Sequence, residues 1–64
     1  MDIKQYIEIS SETRFGKPII KGTRISVTDV LNWMAHSMSK EEIILDFPEL
    51  NEEQINACLF HEQN

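Results

Sequence analysis

The chain has 64 residues, of which 11 are acidic and 6 basic, so its formal net charge is −5. An apolar fraction of 41% is too high for a disordered chain, and the length predicts one domain, residues 1–64. The single cysteine excludes an internal disulfide, and no apolar run approaches the ~20 residues that span a bilayer. We therefore expect a cytoplasmic protein with no membrane partner, whose acidity disfavours general nucleic-acid binding.

Residues 1–25 carry β-like patterns. Tyr6–Ile9 predicts a short strand, which a polar stretch ends. Pro18–Ile20 and Thr23–Ile25 flank Lys21-Gly22, and this arrangement predicts a small hairpin. The first third of the chain is therefore expected to form a small sheet beside the remainder.

Residues 26–62 are predicted to form a helical bundle, because the same capping-box start recurs before three apolar patterns. The boxes are Ser26 with Asp29, Ser39 with Glu42, and Asn51 with Gln54. Helix 1 carries a one-sided apolar stripe of Val27, Val30, Leu31, Met34, Ala35 and Met38. Helix 2 is expected to end before Pro48 and helix 3 near His61. The predicted fold class is mainly α, a three-helix bundle with a short N-terminal β element.

Catalytic and metal-binding residues are not apparent in the sequence. Most acids lie at predicted helix starts, where they complement the helix dipole, and no nucleophile stands with a base and an orienting group. Cys58 and His61 share a helix face, but two ligands do not make a zinc site. A buried cysteine and a terminal histidine explain this pair. We predict that the protein is not an enzyme and has no metal or cofactor.

The most distinctive segment is Phe15–Val27, which contains both glycines and, with Arg14, a run of cations without intervening acids. A cationic, turn-rich segment in an acidic chain indicates a site for an anionic partner. The alternative is a solvated hairpin in which Arg24 pairs with an acid such as Asp29. The predicted binding residues are Arg14, Lys17, Lys21 and Arg24, and the predicted turn residues are Gly16, Pro18, Gly22 and Thr23.

Two aromatic residues lie off the predicted core faces. Trp33 is off the main stripe of helix 1, and Phe60 is off the apolar face of helix 3. Aromatic side chains that the core does not fully enclose often mark interfaces, so both are candidate interface residues. The alternative for Trp33 is packing on the N-terminal sheet. The small core and these spare apolar residues predict a homodimer.

The second and third predicted helices have helix-turn-helix spacing, which raises the question of DNA binding. A helix-turn-helix normally reads DNA with the start of its second helix, which here would be residues 51–54. Glu52 and Glu53 lie there and would repel phosphates. The basic segment is therefore the better candidate surface for an anion.

The chain resembles the domain-of-unknown-function 433 family over roughly residues 7–61. The matching blocks are Gly-Lys-Pro-x-Ile-x-Gly-Thr-Arg-Ile-x-Val at 16–27, Val-Leu at 30–31, Met-Ser-x-Glu-Glu-Ile at 38–43, Phe-Pro-x-Leu at 47–50 and Ile-x-Ala-x-Leu at 55–59. The resemblance implies a homeodomain-like or winged-helix-like core. One departure is Ser37, where the family usually has glycine. A residue other than glycine in the left-handed region costs about 1 kcal/mol, so helix 1 could end differently here.

The resemblance also implies a function. Many members of the family are encoded beside a PIN-like ribonuclease toxin and are regarded as VapB-like antitoxins, which block the toxin's acidic, metal-dependent active site and repress their own operon. We therefore expect a type II antitoxin whose partners are such a toxin and operator DNA. The alternatives are a stand-alone helix-turn-helix-like DNA-binding regulator and a protein-interaction module with no nucleic-acid role.

Overall fold

The computed structural model describes residues 2–9 and 16–63. The elements in chain order are a 3₁₀ turn (Ile3–Gln5), β1 (Ile7–Glu8), β2 (Ile19–Ile20), α1 (Val27–Ala35), α2 (Lys40–Asp46) and α3 (Glu52–Gln63). The prediction of three helices with a short antiparallel sheet on their N-terminal side is confirmed. No helix in the described residues has the length and apolar character needed to cross a membrane.

The two-stranded sheet is shorter than the sequence predicted. β1 pairs antiparallel with β2, with Ile7 opposite Ile20 and Glu8 opposite Ile19. The strand predicted over Tyr6–Ile9 keeps only its two central residues. The 3₁₀ turn just before it was not predicted, and it bends the chain immediately ahead of β1.

Residues 23–25, predicted as the second arm of the hairpin, form no strand. The chain leaves β2 through the loop 21–24, which closes where the Ile20 N–H donates to the Ile25 carbonyl at 2.9 Å. In place of the predicted second arm, β2 makes a single antiparallel bridge, between Ile19 and Ser26. The turn is therefore longer than the predicted Lys21-Gly22, because side-chain hydrogen bonds hold the loop.

All three helix starts are confirmed as reciprocal capping boxes. In each box, the side chain of the N-cap residue accepts a hydrogen bond from the backbone N–H of the residue three positions later. The side chain of that later residue accepts a hydrogen bond from the backbone N–H of the N-cap residue. Six short hydrogen bonds, between 2.7 and 3.2 Å, make up the three boxes. The pairs are Ser26–Asp29, Ser39–Glu42 and Asn51–Gln54.

One apolar core lies between the sheet and the helices, each of which contacts the other two. The buried members of this core are Ile7, Ile20, Ile25, Val27, Val30, Ile43, Leu50, Ile55, Ala57 and Cys58. The stripe predicted on α1 is wrong at Ala35, which is exposed at the last turn of the helix. A side-chain hydrogen bond also joins α2 to α3, because Lys40 Nζ donates to Asn56 Oδ1 at 2.5 Å.

Ser37 lies two residues after the end of α1, has φ of 71° and is the one non-glycine residue with positive φ in the described part of the chain. The Met38 N–H donates to the Trp33 carbonyl and the Ser37 N–H to the Met34 carbonyl, at 3.1 and 3.0 Å. This pair of hydrogen bonds is the Schellman motif, which usually has glycine at the left-handed position. Compared with glycine, Ser37 therefore adds backbone strain after α1, but the hydrogen bonds of the Schellman motif still form.

Candidate binding site on the basic hairpin

The basic hairpin, residues 16–26, carries three cations of the predicted site. Lys17, Lys21 and Arg24 are all exposed, and no acid stands between them in the sequence. Arg14, the fourth predicted cation, lies outside the described residues. The described hairpin thus carries three exposed cations in a chain whose net charge is −5.

Thr23 braces the loop that carries Lys21 and Arg24. Its hydroxyl donates to the Ile20 carbonyl at 2.8 Å and accepts from the Ile25 N–H at 3.0 Å. Its own N–H donates to the same Ile20 carbonyl at 3.1 Å. These bonds hold Arg24 between an anchored threonine and the buried Ile25, so the backbone beneath the guanidinium has a defined course.

Both glycines of the hairpin have positive φ, +78° at Gly16 and +79° at Gly22. A Cβ added at either position would meet nothing within 4 Å. Glycine is therefore required by the backbone conformation and not by lack of space. Gly22 lets the chain reverse immediately before the braced Thr23.

The far end of the hairpin is joined to α1. The Pro18 carbonyl accepts from the Val27 N–H at 3.1 Å, so the residue before β2 holds the first residue of the helix. Ser26, which is 2% exposed, both closes the hairpin and caps the helix through Asp29. The basic hairpin consequently leads directly into the capped start of α1.

Tyr6 connects the hairpin to α3. Its carbonyl accepts from the Lys21 N–H at 2.8 Å, and its hydroxyl donates to Glu53 Oε2 at 2.6 Å. The hydrogen bond to Glu53 raises the pKa of Tyr6, and desolvation and the charge of Glu53 act in the same direction. One residue thus holds the base of the cationic loop and the acidic start of a helix.

The start of α3 is acidic, as predicted. Glu52 and Glu53 are both exposed in its first turn. The Glu53 carboxylate accepts a hydrogen bond from the Tyr6 hydroxyl. The side chains of Asn51 and Gln54 each accept a hydrogen bond from the other residue's backbone N–H. This helix end presents negative charge, which is the wrong sign for contact with nucleic-acid phosphates.

The two candidate interface aromatics lie in different surroundings. Trp33 is half-buried and stacks on Phe47, with ring centroids 4.5 Å apart and an angle of 11° between the planes. Trp33 therefore has an aromatic partner within the protein, Phe47 at the end of α2, and it also packs against the apolar core. Phe60 is 40% exposed on α3.

Cys58 is buried in the core, as predicted. Its burial raises the pKa of the thiol to about 11, so the group is a neutral apolar filler at physiological pH. Among the described residues, no group of three or more histidine, cysteine or acidic side chains is placed to hold a metal ion.

A family model described as a protein of unknown function (DUF433) matches residues 7–60. The chain belongs to the DUF433 family. No curated protein and no solved structure matches it. The DUF433 region includes the whole basic hairpin, α1, α2 and most of α3.

Sequence reasoning missed Tyr6 as a site residue of this DUF433 protein. It lies one position before the matched region and 47 residues from its hydroxyl's acceptor, Glu53. A tyrosine at the start of a predicted strand has no local signal for such a partner. Gly22, by contrast, was predicted as a turn residue, and its positive φ agrees with that prediction.

Proposed function

We propose that this protein is a type II antitoxin that binds and neutralises a PIN-like ribonuclease toxin through its basic hairpin. The observation that carries the proposal is the exposure of Lys17, Lys21 and Arg24 on the basic hairpin of an acidic chain, with Lys21 and Arg24 on the loop that Thr23 holds. Membership of the DUF433 family supports it, because the antitoxin role is what that resemblance implies.

The proposed mechanism is steric and electrostatic occupation of the toxin's active site. A metal-dependent ribonuclease gathers carboxylates, and an arginine guanidinium can pair with a carboxylate through two parallel hydrogen bonds. Arg24 is the residue for this contact, because Thr23 and Ile25 fix the backbone on both sides of it. Lys17 and Lys21 would add attraction over a longer range, which accelerates association at low salt.

Repression of its own operon is the second part of the proposal, with a homeodomain-like arrangement of the helices. Support comes from α2 and α3, which contact each other and are joined by the short segment 47–51. The acids at the start of α3 oppose insertion of that helix into a groove. We assign phosphate contacts to the basic hairpin instead.

The deciding experiment is co-expression with the product of the adjacent gene, followed by purification and a ribonuclease assay. The proposal expects a stable complex with low ribonuclease activity. Lys21→Gln should weaken the complex, whereas the control Asn32→Asp should not, although both lower the net charge by one. Asn32 is an exposed residue of α1, outside the hairpin. Equal effects of the two substitutions would show that net charge alone matters and would contradict the hairpin as the site.

DNA binding is tested separately with a fragment of the operon's own promoter. Each phosphate contact that is lost should lower the magnitude of the salt slope by about 0.9. Salt-dependent DNA binding with no toxin binding would favour the stand-alone regulator. Binding to another protein, with neither toxin nor DNA bound, would favour the interaction module.

A further inference from the structure

An open apolar groove of about 340 Å³ lies where the 3₁₀ turn, β1 and the end of α3 meet. Its lining residues are Ile3, Lys4, Ile7, Ile9 and His61. The three isoleucines make most of the wall apolar, and Lys4 and His61 supply its polar groups. This surface has no role in the function proposed for the hairpin.

Two of the lining isoleucines differ sharply in exposure. Ile7 is 6% exposed and belongs to the core, whereas Ile9 is 67% exposed. The groove therefore has a fixed apolar floor next to a projecting aliphatic side chain. The same surface patch thus contains an apolar groove and an exposed aliphatic side chain, Ile9, that could fill a groove of this kind.

We propose that this patch is a two-fold interface between two copies of the chain, in which Ile9 of each copy enters the groove of the other. A two-fold contact requires a surface that is complementary to itself, and a hollow adjoining a projecting group meets that requirement. β1 is an outer strand in the described sheet, pairing with β2 alone, and outer strands are frequent sites of contact between chains.

The charges beside the groove also suit a second copy of this chain. Lys4 is an exposed cation in the lining, and the exposed acid Glu62 follows the lining residue His61. A two-fold axis can place the cation of one copy near the acid of the other, so the copies need not repel at this patch despite their net charge of −5. An acidic or basic partner of another kind would meet one of these charges unfavourably.

The required area is within reach of a chain this small. A stable interface buries about 1,000 Å² or more in total, which is about 500 Å² from each copy. The accessible surface of one copy is 4417 Å², so an interface of this size would include the surface around the groove as well as the groove itself. Burial there would add apolar contacts to a core near the lower size limit for a domain.

The test compares two substitutions of exposed aliphatic residues in the isolated 64-residue chain. Ile9→Asp places a charge at the groove, and Leu45→Asp is the matched control, because Leu45 is 80% exposed on α2 and does not line the groove. We expect the wild type and Leu45→Asp to sediment as dimers with a Kd of about 10 µM or tighter, and Ile9→Asp to sediment as a monomer. Ile9→Leu should keep the dimer.

Circular dichroism must show that Ile9→Asp is folded, and the exposure of Ile9 makes that the expected result. A wild-type monomer, a dimeric Ile9→Asp, or equal loss of the dimer in both aspartate variants would overturn the proposal. So would a wild-type monomer that binds another protein through Ile9. Because no toxin or DNA is present, failure of this test leaves the hairpin's proposed function standing, and the reverse also holds.

Discussion

The hydroxyl of Tyr6 donates a 2.6 Å hydrogen bond to the carboxylate of Glu53, and these two residues are 47 positions apart in the chain. Through the Tyr6 carbonyl, which accepts from the Lys21 N–H, the same residue holds the base of the basic hairpin. Tyr6 therefore joins the acidic start of α3 to the basic hairpin, through its side chain and its backbone carbonyl. We expect a substitution of Tyr6 or Glu53 to change the stability of the hairpin as well.

The first prediction concerns the pH dependence of this link. Hydrogen bonding to Glu53 raises the pKa of Tyr6, because the folded state favours the neutral phenol. The stabilisation is fully present below the ordinary tyrosine pKa of about 10 and is lost as pH rises through the raised value. Wild type should therefore be more stable to urea than Tyr6→Phe near neutral pH, and this difference should shrink above about pH 10.

Glu53→Gln provides the direct check on the cause. Tyr6 is the only tyrosine, so phenolate absorbance reports its ionisation alone. Removing the charge of Glu53 should bring the titration of Tyr6 down toward the ordinary value. An unchanged titration midpoint in Glu53→Gln would show that the carboxylate of Glu53 is not what raises the pKa of Tyr6.

The features that the sequence predicted correctly are local ones. A capping box joins residues three apart, and its residue types are visible in the chain, as at Ser26 and Asp29. The Tyr6–Glu53 bond and the stacking of Trp33 on Phe47 depend on how distant segments pack, and periodicity carries no information about such pairs. The short sheet was overestimated because a propensity for strand does not reveal where a side chain such as Thr23 ends the ladder.

The second prediction concerns the strained end of α1. Ser37→Gly should stabilise the protein by about 0.5–1 kcal/mol, because glycine adopts positive φ without the Cβ penalty but loses more entropy on folding. For a domain of this size, 1 kcal/mol corresponds to a rise in Tm of about 4–8 °C. Ser37→Ala is the control, and it should give no such gain, since alanine keeps the Cβ. Equal stability of the glycine variant and the wild type would contradict strain at this position.

The third prediction concerns the brace of the basic loop. Thr23→Val preserves the shape of the side chain but removes the hydroxyl, which leaves the buried Ile25 N–H without its acceptor. Leaving such a group unsatisfied costs about 1–3 kcal/mol in unfolding free energy, measured by urea denaturation. Thr23→Ser keeps both hydrogen bonds of the hydroxyl and should lie within about 0.5 kcal/mol of the wild type. A valine variant as stable as the serine variant would argue against the brace.

The fourth prediction concerns the buried thiol. Burial raises the pKa of Cys58 from 9.0 to about 11, so the folded protein holds about 100-fold less thiolate near neutral pH than the unfolded chain. Alkylation by iodoacetamide at pH 8 should therefore be at least about 100-fold slower in buffer than in denaturing urea. The associated stabilisation is present below about pH 9 and is lost as pH rises toward 11. Similar alkylation rates in both solutions would mean that the thiol is accessible.

The last prediction separates the two roles of Arg24 and depends on the proposed toxin contact. Arg24 is exposed and also interacts within the protein, so its replacement can change binding, stability or both. If the guanidinium pairs with toxin carboxylates, Arg24→Lys should weaken toxin binding by about tenfold or more, equivalent to 1.4 kcal/mol, because an ammonium cannot make two parallel hydrogen bonds. Titration calorimetry gives the affinity, and thermal melts of the same variants give the stability. If Arg24→Ala lowers Tm yet the folded fraction binds the toxin as tightly as the wild type, Arg24 acts only within the hairpin, and the contact surface must lie elsewhere.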